Sequence, residues 1–294
     1  MLSLRSEEKK PLQNDLPDEI VLQVSSFPSM PRAGIKLREL LAQEDVSLDE
    51  IEAILRHDPG LATNVLRLAN YAYFGLQKKV GTLKHAVTLL GVKRFAQIAV
   101  SASMNKIMDK AVEGYDLSPG NLWLHSITVS NTAEALARQK KLADTNDVFT
   151  PAQLHDMGKL ILGQFVKKEQ QCIQRITAQG VPLDIAEHMV LGTDHAEIGT
   201  LILARWSFPD EIVNAVRWHH NPEGINNSTT QLDTLCLSNL VCQPAVGSDS
   251  TVEEFITPSS IVLGRLGIKL EQYEVFAEKT RDWMKTLSDT LTFD

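Results

Sequence analysis

The sequence of 294 residues has few cysteines and no long hydrophobic segment. Its three cysteines are an odd number and none of them form a C-x-x-C pair, so a disulfide framework and the usual zinc or redox motifs are not expected. No apolar run approaches the ~20 residues that span a bilayer, and residues 1–15 are polar instead of forming the apolar centre of a signal peptide. We therefore expect a cytoplasmic protein that does not act at a membrane.

Positive charge is also scarce. Lysine and arginine together number 29 against 37 aspartates and glutamates, which gives a formal net charge of -8. Proteins that bind the phosphate backbone concentrate positive charge, so nucleic acid is not expected as a partner.

Alternation of apolar and polar residues, the pattern of a half-buried strand, is missing, whereas helical spacing runs through nearly the whole chain. Ser47 and Glu50 form a predicted capping box, in which each side chain bonds the backbone N–H of the other residue. One predicted helix face consists of apolar residues at the i, i+3, i+4, i+7 spacing: Phe95, Ile98, Ala99 and Ala102. The sequence therefore predicts an all-α fold.

The predicted organisation has four parts. A polar tail at 1–14 precedes an N-terminal helical lobe at 15–115, which we expect to pack on a second, histidine-bearing lobe at 116–245. A helical extension follows at 246–294. The boundary near 115 rests on Gly114 and on the turn residues that come after it.

Six of the eight histidines lie between positions 125 and 220, together with Asp156. Imidazole nitrogens combined with a carboxylate oxygen are a ligand set that suits a divalent transition metal such as iron, manganese, nickel or zinc. The candidate ligands come from several predicted helices: His125, His155, Asp156, His195, His219 and His220.

Some of these histidines also have plainer interpretations. His219 and His220 can complement the negative end of their helix, His195 can be an exposed first-turn residue, and His125 can be a hydrogen-bonded core histidine. We interpret His188 beside Glu187 as a solvated pair.

His155 and Asp156 lie in the first half of a predicted helix that Thr150 caps, with Lys159 one turn beyond His155. Gly158 in that helix costs about 1 kcal/mol relative to alanine. This cost suggests that another backbone or a ligand approaches the chain closely at Gly158.

These residues, taken in order along the chain, resemble the pattern of a known family. The histidine and aspartate pattern is similar to the HD superfamily of metal-dependent phosphohydrolases, and more closely to its regulatory relative, the HDOD domain. Further strings agree in order with the HDOD pattern, at 58–70, 86–91, 187–199, 206–209 and 218–222. The resemblance implies a helical HDOD bundle that acts as a bacterial signal-transduction module without catalytic activity of its own. By position it implies one metal at His125, His155 and Asp156, and a second at His195, His219 and His220.

The sequence departs from the superfamily pattern at its last ligand, since Asn239 stands where an aspartate is expected. An amide oxygen can coordinate a metal but brings no charge. Asp233, six residues earlier, could substitute only if the alignment shifts.

Two functions are the main hypotheses. A third, an oxygen or redox sensor with a histidine-rich iron site, is not distinguished by the sequence from the phosphohydrolase described below. In the first, the chain is a regulatory domain that binds a protein partner or a small signalling molecule. In the alternative, it is a phosphohydrolase acting on a nucleotide or cyclic dinucleotide. Asp156 would then orient the attacking water or take its proton, and Lys159 could contact the phosphate.

Overall fold

The computed structural model describes residues 17–43, 45–72, 80–142, 148–243 and 257–290. Regular secondary structure in these ranges is helical apart from one isolated bridge between Val112 and Leu117, which confirms the all-α prediction. The predicted tail at 1–14 and positions 246–256 of the predicted extension lie outside the described residues. Among the described helices, none is both long enough and apolar enough to cross a bilayer.

The chain divides into two compact units, of which the first spans Pro28–Lys110. Its helices are α2 (Arg32–Leu41), α3 (Leu48–Leu55), α4 (Pro59–Ala72), α5 (Leu83–Leu90) and α6 (Val92–Met108). Helices α2, α4 and α5 pack against α6. The predicted apolar face of α6 is buried. The capping box is confirmed, since Glu50 donates its backbone N–H to Ser47 Oγ over 3.2 Å and Glu50 Oε2 accepts from the Ser47 backbone.

The second unit combines the residues up to Phe27 with those from Ala111 onward. It begins with α1 (Asp18–Ser26) and a 3-10 turn at Glu113–Tyr115. The remaining helices are α7 (Asn121–Gln139), α8 (Phe149–Leu154), α9 (Lys159–Lys168), α10 (Gln170–Thr177), α11 (Leu183–Leu191), α12 (His195–Arg205), α13 (Asp210–Trp218), α14 (Thr230–Cys242), α15 (Ser260–Arg265) and α16 (Leu270–Thr290).

Helix α7 lies at the centre of this unit, against α8 and α14. The C-terminal helices add a second layer, because Leu263 of α15 and Phe276 of α16 pack in one buried cluster with Leu136 of α7 and Leu237 of α14. Tyr273 of α16 donates its hydroxyl to the Leu237 carbonyl over 3.0 Å. The C-terminal segment is therefore an integral part of the unit.

The helix that Thr150 was predicted to cap is different in the structure. Helix α8 begins at Phe149, so Thr150 lies inside its first turn, and α8 ends at Leu154. The chain then tightens into a turn, with the Met157 N–H donating to the Leu154 carbonyl and the Lys159 N–H to the Asp156 carbonyl over 3.1 and 3.0 Å. These bonds span three residues instead of four. His155 and Asp156 therefore lie at the junction of two helices.

A close backbone contact occurs at Gly158, as its sequence context suggested. A Cβ atom at this position would lie 1.9 Å from the His195 carbonyl oxygen and 2.6 Å from the Gly199 nitrogen, both in α12. Only glycine permits this approach. The contact sets α12 directly against the turn that carries His155 and Asp156.

We expect Gly158→Ala to destabilise the protein by about 3 kcal/mol, because the obstacle is backbone and cannot rotate away. Gly264→Ala is the matched control, since no atom outside its own helix lies within 4 Å of the added methyl group. It should stabilise α15 by about 0.5 kcal/mol. Urea unfolding measures both changes, and equal stability of the two variants would contradict the packing described for Gly158.

Candidate metal centre

The six predicted ligands, which are far apart in the sequence, come together around the carboxylate of Asp156. Their positions are His125 on α7, His155 and Asp156 in the α8–α9 turn, His195 at the first residue of α12, and His219 and His220 directly after α13. Asp156 is 1% exposed, and His155, His195 and His219 are at most 1% exposed. His195 is therefore not the exposed first-turn residue that was one interpretation of the sequence.

The two oxygens of Asp156 face different neighbours. Oδ1 lies 3.3 Å from Nε2 of His195 and 3.9 Å from Nε2 of His219. Oδ2 lies 3.4 Å from Nε2 of His155 and 3.5 Å from Nε2 of His125. It also accepts from the Lys159 ammonium over 2.6 Å.

Backbone carbonyls orient two of the imidazole rings. His155 Nδ1 lies 2.7 Å from the Ala152 carbonyl oxygen, and His219 Nδ1 lies 2.6 Å from the Val216 carbonyl oxygen. A carbonyl can only accept, so each Nδ1 carries the proton and each Nε2 of a neutral ring keeps its lone pair. Both lone pairs are thereby available on the side of Asp156.

His195 is oriented by a buried carboxylate that the sequence analysis missed. Glu187 Oε2 accepts from the backbone N–H of His195 over 2.9 Å and from its Nδ1 over 2.7 Å. The other oxygen, Oε1, accepts from the hydroxyl of Tyr115 over 2.8 Å. A carboxylate behind a ligating histidine is a common support in metal sites.

The predicted solvated pair of His188 and Glu187 is wrong. Glu187 is fully buried, and His188 Nδ1 lies 3.9 Å from Glu197 Oε2 instead. The sequence contains a pattern that indicates burial of Glu187. It stands next to Ala186 and three residues before Val190, so in a helix it shares one side with apolar residues. Helix α11 therefore directs Glu187 inward and leaves His188 exposed.

The charges of the cluster follow from burial and from close partners. Burial alone would raise the pKa of Asp156, but His155 and Lys159 hold it well below its usual range. Burial holds the pKa of His219 well below its ordinary value. At His195 burial alone would lower the pKa, but the Glu187 carboxylate raises it. An anionic Asp156 and a neutral His219 are the states that bind a metal.

The open side of the cluster is formed by His125 and His220, which are partly exposed. His220 Nε2 lies 2.8 Å from His195 Nε2, so one of these two nitrogens carries a proton that the other accepts. Burial lowers the pKa of His125 to about 3, although the Asp156 carboxylate acts in the opposite direction. Asn239 is buried and its Oδ1 has no hydrogen-bond partner among the described residues, whereas Asp233 forms an ion pair with Arg265.

The residues fit a divalent metal. Within the described residues, His155 Nε2, His219 Nε2 and Asp156 Oδ1 are buried and have no hydrogen-bond partner. Buried polar atoms are normally paired, and these three are of the types that coordinate transition metals. Two sets of ligand atoms share Asp156: one with His195, His219 and His220, the other with His125 and His155.

Comparison with known proteins supports the fold and shows the family. The HDOD domain family model matches residues 27–222. A crystal structure of an HDOD domain protein of unknown function from Geobacter sulfurreducens superposes with a TM-score of 0.71 at 21% identity, over 91% of this chain and 95% of that one. A “Putative phosphohydrolase” from Shewanella amazonensis SB2B gives a TM-score of 0.68 at 24% identity, over 90% of this chain and 93% of that one.

An uncharacterized protein of Treponema pallidum (strain Nichols) is 23% identical over 224 residues. These residues are 74% of this chain and 42% of the Treponema protein, so the match spans well under half of that relative. The chain belongs to the HDOD family.

We expect Glu187→Leu to destabilise the protein by about 3 kcal/mol, because the backbone N–H and the Nδ1–H of His195 would both be buried without the acceptor that they now share. Tyr115→Phe is the matched comparison, since it removes one hydrogen bond to the same carboxylate and should cost about 1.5 kcal/mol. Urea unfolding in the presence of a chelator measures the apoprotein. Equal losses in the two variants would contradict the role given to Glu187.

Proposed function

We propose that this chain is a regulatory signal-transduction domain that binds a protein partner or a small signal, and that its histidine cluster holds a divalent transition metal. The observation that supports the metal most directly is that two buried atoms of this cluster, His219 Nε2 and Asp156 Oδ1, have no hydrogen-bond partner in the part of the chain that the structure describes. The HDOD family supports the regulatory part of the proposal. A cytoplasmic location belongs to the same proposal.

The ligand chemistry limits the choice of metal. Imidazole nitrogens with one carboxylate oxygen favour iron, manganese, nickel or zinc over magnesium or calcium, which prefer oxygen. A metal bound there supplies Lewis acidity and a positive charge opposite Asp156. His195, His219 and His220 would hold it with Asp156 Oδ1.

The charge distribution favours one metal and regulation over two metals and hydrolysis. Lys159 already pairs with Asp156 Oδ2 over 2.6 Å and neutralises the central carboxylate. Asn239 brings no charge at the position where the superfamily has an aspartate. The ligand set at Oδ1, with His195, His219 and His220, therefore offers a cation more uncompensated negative charge than the set at Oδ2, with His125 and His155.

We expect about one metal ion per chain in protein purified without a histidine tag, measured by inductively coupled plasma mass spectrometry. His219→Ala should remove it, whereas His155→Ala, in the other ligand set, should leave most of it. His85→Ala is the matched control, since His85 is an exposed histidine of the first unit and should leave the metal unchanged. Metal-free wild-type protein, or metal retained in His219→Ala, would refute the proposal.

A second candidate function is hydrolysis of a nucleotide or cyclic dinucleotide. Lys159 favours it, because its side chain is 15% exposed at the edge of the cluster and could contact a phosphate. Asp156 would orient the attacking water or accept its proton, and the lysine would hold the anionic substrate in place.

Hydrolysis predicts that metal-loaded protein releases phosphate from a nucleotide, or splits a cyclic dinucleotide, and that a chelator stops the reaction. Asp156→Asn should abolish turnover because the amide cannot take a proton. Phosphate assay and chromatography of the products measure this. The absence of turnover in protein with its metal bound would reject hydrolysis and leave the regulatory proposal standing.

A further inference from the structure

The last two histidines of the cluster lie at the start of a long connection. Helix α13 ends at Trp218, and α14 begins only at Thr230. A local hydrogen bond fixes the beginning of this connection, because Asn221 donates its N–H to the Trp218 carbonyl over 2.8 Å. A segment of this length needs further support to keep His219 and His220 on Asp156.

Arg265 of α15 provides that support from another part of the chain. Its Nη2 donates to the Pro222 carbonyl over 3.2 Å, two residues after His220. The same guanidinium binds Asp233 of α14 through both oxygens, with Nε 2.7 Å from Oδ2 and Nη2 2.6 Å from Oδ1. Asp233 also accepts from Ser228 Oγ over 2.7 Å. One side chain therefore joins both ends of the connection.

The geometry makes this support specific to arginine. A planar guanidinium can hold a carboxylate with two bonds and still donate a third to a carbonyl, whereas an ammonium has no such fork. Asp233 is 2% exposed, so the pair is shielded from water on its acidic side. Arg265 is itself held in place because Val262, Leu263 and Leu266 of the same segment lie in the core shared with α7 and α14.

We propose that Arg265 is a positioning residue for the metal centre: by fixing the connection between α13 and α14, it keeps His219 and His220 oriented for a metal. This inference rests on the proposed metal site. It adds that the C-terminal segment, which supplies no ligand, sets the affinity of the site. Supports of this kind commonly change metal affinity by about 10-fold to 100-fold.

The test uses the full-length chain and Co²⁺ as the probe, because its visible absorption reports the ligands as well as the affinity. Arg265→Lys, which keeps the charge but loses the fork, should weaken Co²⁺ binding about 10-fold or more and alter the spectrum. Asp233→Asn should do the same, and the double variant should be little worse than either single one because both act through one interaction.

Tyr273→Phe is the matched control. It removes a bond between the same C-terminal segment and α14, away from the α13–α14 connection, so it should lower stability with wild-type Co²⁺ affinity and spectrum. If Tyr273→Phe weakens Co²⁺ binding as much as Arg265→Lys, the effect is general loosening and the inference is wrong. Wild-type affinity in Arg265→Lys would also overturn it.

Amide hydrogen exchange separates this inference from the proposed function. Arg265→Lys should speed exchange at residues 221–228 in metal-free protein, and Tyr273→Phe should not. Unchanged exchange in Arg265→Lys would overturn the restraint even if the wild-type chain binds Co²⁺. Faster exchange in Arg265→Lys, found together with a wild-type chain that binds no Co²⁺, would keep the restraint but refute the metal site and, with it, the role of Arg265 in affinity.

Discussion

The candidate metal centre depends on the contact between two backbones at Gly158. Because this residue has no Cβ, the first turn of α12 can lie against the α8–α9 turn with the His195 carbonyl almost touching it. His155 and Asp156 stand on one side of the contact and His195 on the other. A side chain at this position would separate them by at least the width of a methyl group. Ligands that must meet within about 2 Å of one ion would then no longer reach it.

The second constraint is electrostatic. One buried carboxylate, Asp156, faces imidazoles on both sides and Lys159 on one. A buried charge requires partners, and here the partners are unequal. The Lys159 ammonium bonds Oδ2, whereas imidazole nitrogens of His195 and His219 lie nearest to Oδ1. This asymmetry connects the fold to the function proposed for it. It supports the proposal of one cation on the Oδ1 side, because less negative charge is available for a second.

Predictions from the sequence succeeded where the signal is local or chemical. The Ser47 capping box, the apolar face of α6 and the close approach at Gly158 are all present, since each depends on neighbouring residues or on the properties of one residue type. The Thr150 cap failed because a cap depends on where the helix begins, and packing around α8 moved that start to Phe149. Glu187 was misassigned because its neighbour His188 is near in sequence while its true partner, His195, is reached only through the turn between α11 and α12.

The sequence by itself determined the helical content, the family and the set of histidines and carboxylate available for coordination, because periodicity and residue chemistry can be read without coordinates. Only the tertiary structure decided how these groups are used. Three kinds of contact depend on distances in space. They are the carbonyls that orient His155 and His219, the Tyr115–Glu187 pair behind His195, and the hydrogen bonds of Arg265 to Asp233 and Pro222. Tyr115 and Glu187 are 72 residues apart, and Arg265 and Asp233 are 32 residues apart. Such pairs form because the core packing places their helices together, and no local pattern in the chain encodes them.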